Sequence, residues 1–522
     1  MKAVTTAQMQ ELDRRTIHEF GIPGAVLMER AGHGVARIVR RILRLRQSDQ
    51  ARVLIVAGRG NNGGDAFVAA RYLHACGAEV EVLLTGSVSE LRGDAAAHFE
   101  RMRCAGVVCH PKPTVADWET RPAGLAPAWT VIVDGILGTG VSGPVRDLAA
   151  TAIHCINALA SHVPVIAIDV PSGLNSDTGV PEGLAVLADV TVTMGLPKRG
   201  LLQPAAVNYV GNLEVVDIGI PQKLLAELSS DLELIAESDL LPILTRRRRD
   251  SHKGNFGHLL IISGAAGYAG AVGMAARAAL RSGVGLVTAL VPECVAAVVA
   301  GMAPEAMIHR AAQTEIGSLS AACLRKWGRN VNDFDAVLVG PGMTTHPDSA
   351  RLVEQLLQTV RTRLIIDADG LNVLAGRTEL IRQCPGTVII TPHPGEMARL
   401  LGWATPQVQA DRFEAARKAA NQTGALVVLK GAGTVLAAPQ GRILVNMTGN
   451  PGMAKGGMGD VLAGLLGGIA AQGLQPLEAA QLAVYIHGRA GDTAAWHTGQ
   501  IGLTAAEVLA SIPLVFAELS GR

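Results

Sequence analysis

The sequence predicts an α/β protein of two domains in tandem, each a largely parallel sheet covered by helices on both faces. Three observations predict it. The chain has 522 residues, and single cores stop growing at about 250–300 residues, so two are expected. Short apolar runs, continuous rather than alternating, recur between segments of helical period, the mark of strands buried on both faces. That alternation lapses near residues 223–249 and then starts afresh. The expected division is 1–225 and 246–522, with a connector at 226–245.

The elements follow in order. "RVLIVAG" (52–58) is a β-branched run ending in glycine, "DAFVAARYLHACG" (65–77) has helical period, and "AEVEVLLTG" (78–86) is the next strand. "TVIVDGILGTG" (130–140) and "VPVIAIDVPSG" (163–173) are strands running into glycine turns, with a helix at 148–160 between them. After the arginine run "TRRRRD" (245–250), "GHLLIISGAAGYAGAVGMAARAALRSGVGLVTALVP" (257–292) reads as strand, glycine loop, helix and strand. "FDAVLVGPG" (334–342), "RLIIDADGLN" (363–372), "TVIITPHPGE" (387–396) and "ALVVLKGAGTVLAAP" (425–439) continue the alternation, and 459–472, 477–490 and 504–519 are helical.

Composition narrows the function. Hydrophobic residues make up 49% and charged residues 17%, enough apolar side chain for large cores. A net charge of +1 and 3% aromatics supply neither the field nor the stacking platform of a nucleic-acid binder, and no membrane surface is drawn in. The arginine run is read first as a solvated segment and second as a set of phosphate contacts. Seven cysteines, an odd number without CxxC, fit a reduced, cytoplasmic chain. Arg277, Arg281 and Asp460 interrupt the best candidates for a membrane span.

Glycine turns carry the chemistry. "AGRGNNGGDAF" (57–67) follows a strand and opens a helix, where backbone N–H groups bind anions, yet it is neither a Walker loop nor G-x-G-x-x-G. Alone it is an ordinary tight turn. "DGILGTGVSGP" (134–144) and "DVPSGLN" (169–175) end at the same sheet edge, so Asn62, Asp134 and Ser172 can offer oxygens to one hard cation. The loops NNGGD and GTGVSGP can cradle phosphates. In "TGNPGMAKGGMGDVLAG" (448–464) the glycines exclude a helix at the front, and a buried helix begins behind Asp460. Taken alone, Asp460 is a helix-capping aspartate.

"GRGNNGGDAF", "VDGILGTGVSGPVR", "DVPSGL" and "TMGLPKRGLLQP", in that order over residues 1–220, resemble the NAD(P)H-hydrate epimerase domain, with Ala66 where relatives mostly carry glycine. The resemblance implies a Rossmann-like three-layer fold and inversion at C6 of hydrated nicotinamide. It implies hydrate binding by Asn61, Asn62, Gly63, Gly64 and Asp65, by Gly138, Thr139, Gly140, Val141, Ser142, Gly143 and Pro144, and by Asp169. Potassium would lie on Asn62, Asp134 and Ser172. C6 is a carbinolamine carbon, so its hydroxyl leaves with help from the ring nitrogen, and Asp169 or Asp134 can carry the proton. Asp169 is ranked first because a metal-bound carboxylate is the poorer base.

"RDSHKGNFGHLLIISG", "GYAGA", "GPGM", "DADGLN", "TPHPGEMARL", "LKGAGTV" and the glycine run resemble, over residues 245–515, the ADP-dependent NAD(P)H-hydrate dehydratase of the ribokinase-like α/β superfamily. The resemblance implies an anion hole from Gly456, Gly457, Met458 and Gly459, with Asp460 as base for the C6 hydroxyl. Lys430, Gly431, Ala432, Gly433, Thr434 and Gly459 would contact ADP. Gly270, Ala271, Gly342, His393 and Asp460 would bind the hydrate. Magnesium would accompany the nucleotide, with Glu396 orienting it through water. His252 and Lys253 have a surface-loop reading beside one of phosphate contact.

The expectation is therefore a metabolite-repair enzyme that epimerises NAD(P)H-hydrate and dehydrates the S form with ADP, as a homo-oligomer. Its rivals are a ribokinase-like small-molecule kinase with a binding domain in front, and a scaffold that binds RNA or lipoproteins. Nothing in the sequence separates ADP from ATP.

Overall fold

The computed structural model of the protein describes residues 1–45, 51–119, 129–140, 143–439 and 441–521. The chain divides into two compact units, Met1–Ser230 and Asp231–Arg522.

In the first unit seven strands form one sheet: β1 (Arg52–Ala57), β2 (Glu79–Leu84), β3 (Val108–Pro111), β4 (Val131–Gly135), β5 (Val165–Ile168), β6 (Val190–Met194) and β7 (Asn212–Val216). The order is β3-β2-β1-β4-β5-β6-β7 and every pairing is parallel. β4 and β5 are buried along their whole length, which is why they read as unbroken apolar runs. The order reverses between β1 and β4, so a crevice opens there at the carboxyl ends of the strands. A Cβ on Gly58, just past β1, would stand 1.9 Å from Ile136 O, so the turns after β1 and β4 meet only because that residue is glycine.

The second unit holds ten strands: β8 (Leu232–Leu234), β9 (His258–Ile262), β10 (Leu286–Pro292), β11 (Met307–Ala311), β12 (Ala336–Val339), β13 (Arg363–Ile366), β14 (Thr387–Ile390), β15 (Leu426–Leu429), β16 (Thr434–Ala437) and β17 (Ile443–Asn446). Their order is β11-β10-β9-β12-β13-β14-β15-β16-β17-β8, parallel except where β16 runs against β15 and β17. The switch point lies between β9 and β12. The helices Ala269–Arg281 and Met458–Ala471 pack so closely that a Cβ on Gly464 would come within 2.0 Å of Ala275 O. Each buried Val, Leu or Ile of this core contributes about 1.5–3 kcal/mol.

Four local readings differ. NNGGD is not a loop but the first turn of the helix Asn61–Ala75, since Gly60 already serves as N-cap and Gly63 packs on Gly58 O. "ALVVLKGAGTVLAAP" is the hairpin β15–β16, with the glycines at its tip. The stretch 226–245 is more than a connector, because β8 pairs with β17. The helix Pro476–Gly502 runs past 490 and breaks only at Gly499 (φ 71°, ψ 160°).

Candidate functional site

In the first unit the crevice is a cavity of about 640 Å³, walled by the turns after β1, β4, β5 and β6 and by the helices Thr6–His18 and Gly24–Leu45. Asn61, Asn62, Asp65, Gly138, Thr139, Gly140 and Asp169 line it. Gly63 and Gly64 pack instead against Gly58 O and Met28 Sδ. Gly143 and Pro144 lie outside the lining. Val141 and Ser142 fall outside the described residues.

Asp169 sits at φ +64°, a backbone conformation uncommon for a residue with a side chain and concentrated at functional sites. Its Oδ1 accepts from Lys198 Nζ, and from Thr193 Oγ1 and Met194 N at 3.2 Å each. Lys198 also donates to Met194 O at 2.9 Å, and its side chain is 1% exposed. This pair ties the turn after β5 to that after β6. Lys198 stood inside a quoted motif, where a lysine closing an apolar run was the only signal for it. Asp13, a further lining residue, gave none, because "ELDRRT" reads as a solvated helix face.

Asp134 plays a different part. It is fully buried, and Ser172 Oγ (2.6 Å), Ser172 N (2.8 Å) and Ile136 N (3.2 Å) donate to its carboxylate. Burial raises its pKa to about 6 against those bonds. It does not line the cavity, so of the two candidate proton carriers, Asp134 and Asp169, the second is the one that faces it. Asn62 Nδ2 donates to Leu137 O at 2.9 Å, and a Cβ on Gly138 would stand 3.5 Å from Asn62 Oδ1. Asn62, Asp134, Ser172 and Leu137 O thus gather hard oxygens around a buried carboxylate with no cationic side chain beside it. That donor set fits a monovalent cation such as potassium.

In the second unit the strand ends carry Asp367 after β13, Thr391 and His393 after β14, and Lys430 after β15. Lys430 Nζ lies 2.6 Å from Asp367 Oδ1 and 3.8 Å from Glu396 Oε2. Thr391 Oγ1 donates to Asp367 Oδ1 at 2.7 Å. Burial pulls the Lys430 ammonium down, but Asp367 and Glu396 outweigh it and hold its pKa above the ordinary value. A Cβ on Gly459 would stand 3.5 Å from Lys430 Nζ, which places that ammonium at the first turn of the helix Met458–Ala471.

The first intrahelical bond there runs from Val461 N to Gly457 O (3.1 Å), so the N–H groups of Met458, Gly459 and Asp460 precede it. Gly457 takes φ +89° as the N-cap. The preceding loop is clamped by Asp492, which accepts from Gly449 N (2.9 Å) and Asn450 Nδ2 (3.0 Å). Burial, then the neighbouring Asp367 and Asp369, push the Asp460 carboxyl up to about 6 against the pull of Lys430. Gly456 is exposed.

Gly342 (φ +63°) lets its turn close on the turn at 268–271, for its Cβ would meet Tyr268 Cβ at 2.9 Å and Ala271 Cβ at 3.1 Å, next to Gly270. His393 is half exposed and N-caps the helix Pro394–Leu401, its Nδ1 accepting from Gly395 N. Glu396 accepts from His393 N at 2.7 Å, so part of its role is that cap.

Arg412 was missed by sequence reading. It is 3% exposed and reaches across to Leu429 O (3.1 Å), Lys430 O (3.1 Å) and Gly433 O (3.4 Å), holding the loop Lys430–Thr434 in shape. Ala432 is exposed at the tip and Gly431 lies against the Arg412 guanidinium.

Three carboxylates, Asp367, Glu396 and Asp460, act on the ammonium of Lys430, with Asp369 near Asp460 and Arg399 near Glu396. The surplus of negative charge suits a divalent cation arriving with phosphates. Among the described residues no three His, Cys, Asp or Glu converge as a metal cage, so such an ion would be met through water. The arginine run is elsewhere: Arg247 stacks on Phe256 (3.9 Å) and donates to Gln472 Oε1 (3.1 Å) before β10, at the opposite end of the sheet. His252 accepts from Gly254 N in a surface turn beside Lys253. No helix among the described residues is long and apolar enough to cross a membrane.

Residues 24–200 match the family described as YjeF-related protein N-terminus, and residues 259–514 the family described as NAD(P)H-hydrate dehydratase. The bifunctional NAD(P)H-hydrate repair enzyme of Moorella thermoacetica is 42% identical over 99% of this chain and 97% of its own. The enzyme of that name from Escherichia coli is 34% identical over 96% of this chain and 91% of its own. Among solved structures, an ADP/ATP-dependent NAD(P)H-hydrate dehydratase from Bacillus subtilis, co-crystallised with ATP and Mg2+, is 31% identical. It covers 56% of this chain and 100% of its own, with a TM-score of 0.49.

Proposed function

The chain belongs to the bifunctional NAD(P)H-hydrate repair enzymes, and from that premise we propose how its two sites divide the work. The first unit interconverts the R and S hydrates at C6. The second dehydrates the S form with ADP. The observation that carries the reading is the pairing of Asp460 with the N–H groups of Met458 and Gly459, which precede the first intrahelical bond at one helix N-terminus.

In the second unit Asp460 takes the proton from the C6 hydroxyl while that oxygen attacks the terminal phosphoryl group of ADP and AMP leaves. Gly456, Gly457, Met458 and Gly459 stabilise the charge that builds on the transferred group, a task worth about 3–4 kcal/mol per donor elsewhere. Lys430 neutralises a phosphate, and the loop from Gly431 to Thr434 seats the nucleotide. Phosphate is a better leaving group than hydroxide. The C6–O bond then breaks with loss of a proton from C5, which restores the nicotinamide. Gly270, Ala271, Gly342 and His393 hold the hydrate. Asp367 and Glu396 would hold, through water, a magnesium ion arriving with the nucleotide, which would supply counter-charge to the phosphates.

In the first unit Asn61, Asn62, Asp65, Gly138, Thr139, Gly140 and Asp169 hold the hydrate, with Gly63, Gly64 and residues 141–144 shaping the same turns. Asp169 is the proton carrier, since among the described residues its hydrogen bonds all fall on Oδ1 and none on Oδ2. Asn62, Asp134 and Ser172 would hold a potassium ion, which would tie together the turns after β1, β4 and β5. A cytoplasmic location fits the free cysteines.

The test is recovery of NADPH absorbance from mixed R and S hydrates with magnesium and potassium, adding ADP, ATP or neither. Full conversion that requires nucleotide is expected. Conversion stopping near half would remove the epimerase assignment, and a stable phosphorylated alcohol would make the second unit a kinase. Asp169→Ala is expected to abolish conversion of the R form alone.

A further inference from the structure

Of the four carboxylates that line the first unit's cavity, Asp13, Asp65 and Asp169 act on one another and on one ammonium, Lys198, while Asp94 and Arg59 line it outside that cluster. Their surroundings differ. Asp169 Oδ1 collects Lys198 Nζ, Thr193 Oγ1 and Met194 N–H. Asp65 is 9% exposed, lines the cavity from the first turn of the helix Asn61–Ala75, and receives no hydrogen bond on its carboxylate among the described residues. Asp13 comes from the helix Thr6–His18, ahead of the segment that matches the family. Its Oδ1 is buried without a partner.

The N-terminal segment is held where it matters. Val4 N donates to Pro197 O at 2.9 Å and Arg199 N to Val4 O at 2.8 Å, so the same two bonds place the helix of Asp13 and the turn of Lys198. With all four groups ionised the cluster would carry two uncompensated negative charges in a largely desolvated pocket. Such a cluster retains a proton, on an acid that receives no hydrogen bond. Asp13 and Asp65 both lack one among the described residues, and Asp65 is the more buried of the two. Burial, then Asp169 and Asp13, push its carboxyl well above the usual range against the pull of Lys198. Burial likewise raises Asp13 to about 6.

We propose that Asp65 is a second proton carrier of the epimerase, the acid that protonates the departing C6 hydroxyl, and that Asp13 is the positioning residue that keeps the proton there. This rests on the epimerase reading and adds an acid to the Asp169 base. The C6–O bond breaks as Asp65 gives its proton, so the hydroxyl leaves as water. The ring-nitrogen lone pair forms the N1=C6 double bond. Water then adds to the other face of C6, the electron pair returns to nitrogen, and the proton released goes to Asp169 Oδ2. The cluster's proton count is unchanged, and the reverse reaction exchanges the two roles.

The full-length protein is tested from the R hydrate with ADP omitted, separating the epimers by chromatography so that only inversion is read. Asp65→Asn is expected to lower kcat about a hundredfold or more with KM nearly unchanged, the scale of a lost general acid. Asp13→Asn removes a negative neighbour, so Asp65 loses its proton more easily and the alkaline limb of the pH profile moves down by about one unit. Wild-type kcat in Asp65→Asn would overturn the proposal. An unmoved alkaline limb in Asp13→Asn would overturn the part given to Asp13, and that measurement decides the matter if Asp65→Asn fails to fold. A wild-type chain that does not interconvert the epimers would strike the epimerase reading itself, a separate result.

Discussion

Lys430 sets its ammonium 2.6 Å from Asp367 Oδ1, reaching across β14 between the ends of β15 and β13, with the side chains 16% and 2% exposed. Neither group has water enough to be charged alone. Lys430→Met would leave Asp367 buried with the Thr391 hydroxyl but no counter-charge, and breaking such a pair costs about 3–5 kcal/mol. The expected outcome is a second unit less stable to denaturant by that order, together with loss of dehydration. An unchanged midpoint would mean that Asp367 finds another partner.

Asp460 links activity to stability with opposite signs. Its folded pKa of about 6 lies above the ordinary carboxylate value of 3.8, so between those pH values the folded state binds more protons than the unfolded one. Stability therefore falls as pH rises through that window, and the ionised carboxylate is a standing cost at neutral pH. The base must be ionised to work, so dehydration is expected to fall as pH drops through about 6. Asp460→Asn is expected to cut kcat about 10²–10⁴-fold. The same variant should stabilise the second unit, on the order of 1–3 kcal/mol at pH 7.5. Paired rate and unfolding measurements check both; a variant that is slower and also less stable contradicts the electrostatic account.

What could be read from the sequence followed the backbone. Strand ends and glycine turns leave a local signature, so the positions of Asp169 and Lys430 at strand ends and of Asp460 at a helix start are legible in the sequence. Lys198 and Asp13 were not assigned, because their meaning lies in a meeting of the turn after β6 with the N-terminal helix, which no local pattern encodes. Arg412 was hidden in the same way. An arginine opening a helix reads as solvated, and only tertiary packing turns it inward onto three carbonyls. The hairpin β15–β16 was misread as continued alternation because an antiparallel strand buried on both faces has the composition of a parallel one.

Arg412 predicts a division between binding and chemistry. Its guanidinium holds the carbonyls of Leu429, Lys430 and Gly433 yet stands behind the loop, away from the reacting atoms. Lysine has one compact ammonium and cannot span three acceptors. Arg412→Lys is expected to raise KM for ADP about tenfold, equal to about 1.4 kcal/mol, with kcat changed far less. A loss confined to kcat would place Arg412 in the phosphoryl-transfer machinery.

Potassium can be tested without turnover. Asp134 is fully buried with three donors and no cationic neighbour, and Asn62 and Ser172 complete a set of hard oxygens. An ion that binds the folded state alone stabilises it by RT ln(1 + [L]/Kd), about 2.7 kcal/mol at a hundredfold excess over Kd. Melting of the first unit is therefore expected to rise with potassium chloride over choline chloride of equal ionic strength. Ser172→Ala should remove most of that difference, because it takes away one ligand and one bond to Asp134. If both salts give the same melting curve for the wild-type chain, the buried carboxylate is satisfied by its three hydrogen bonds and the turns after β4 and β5 need no ion.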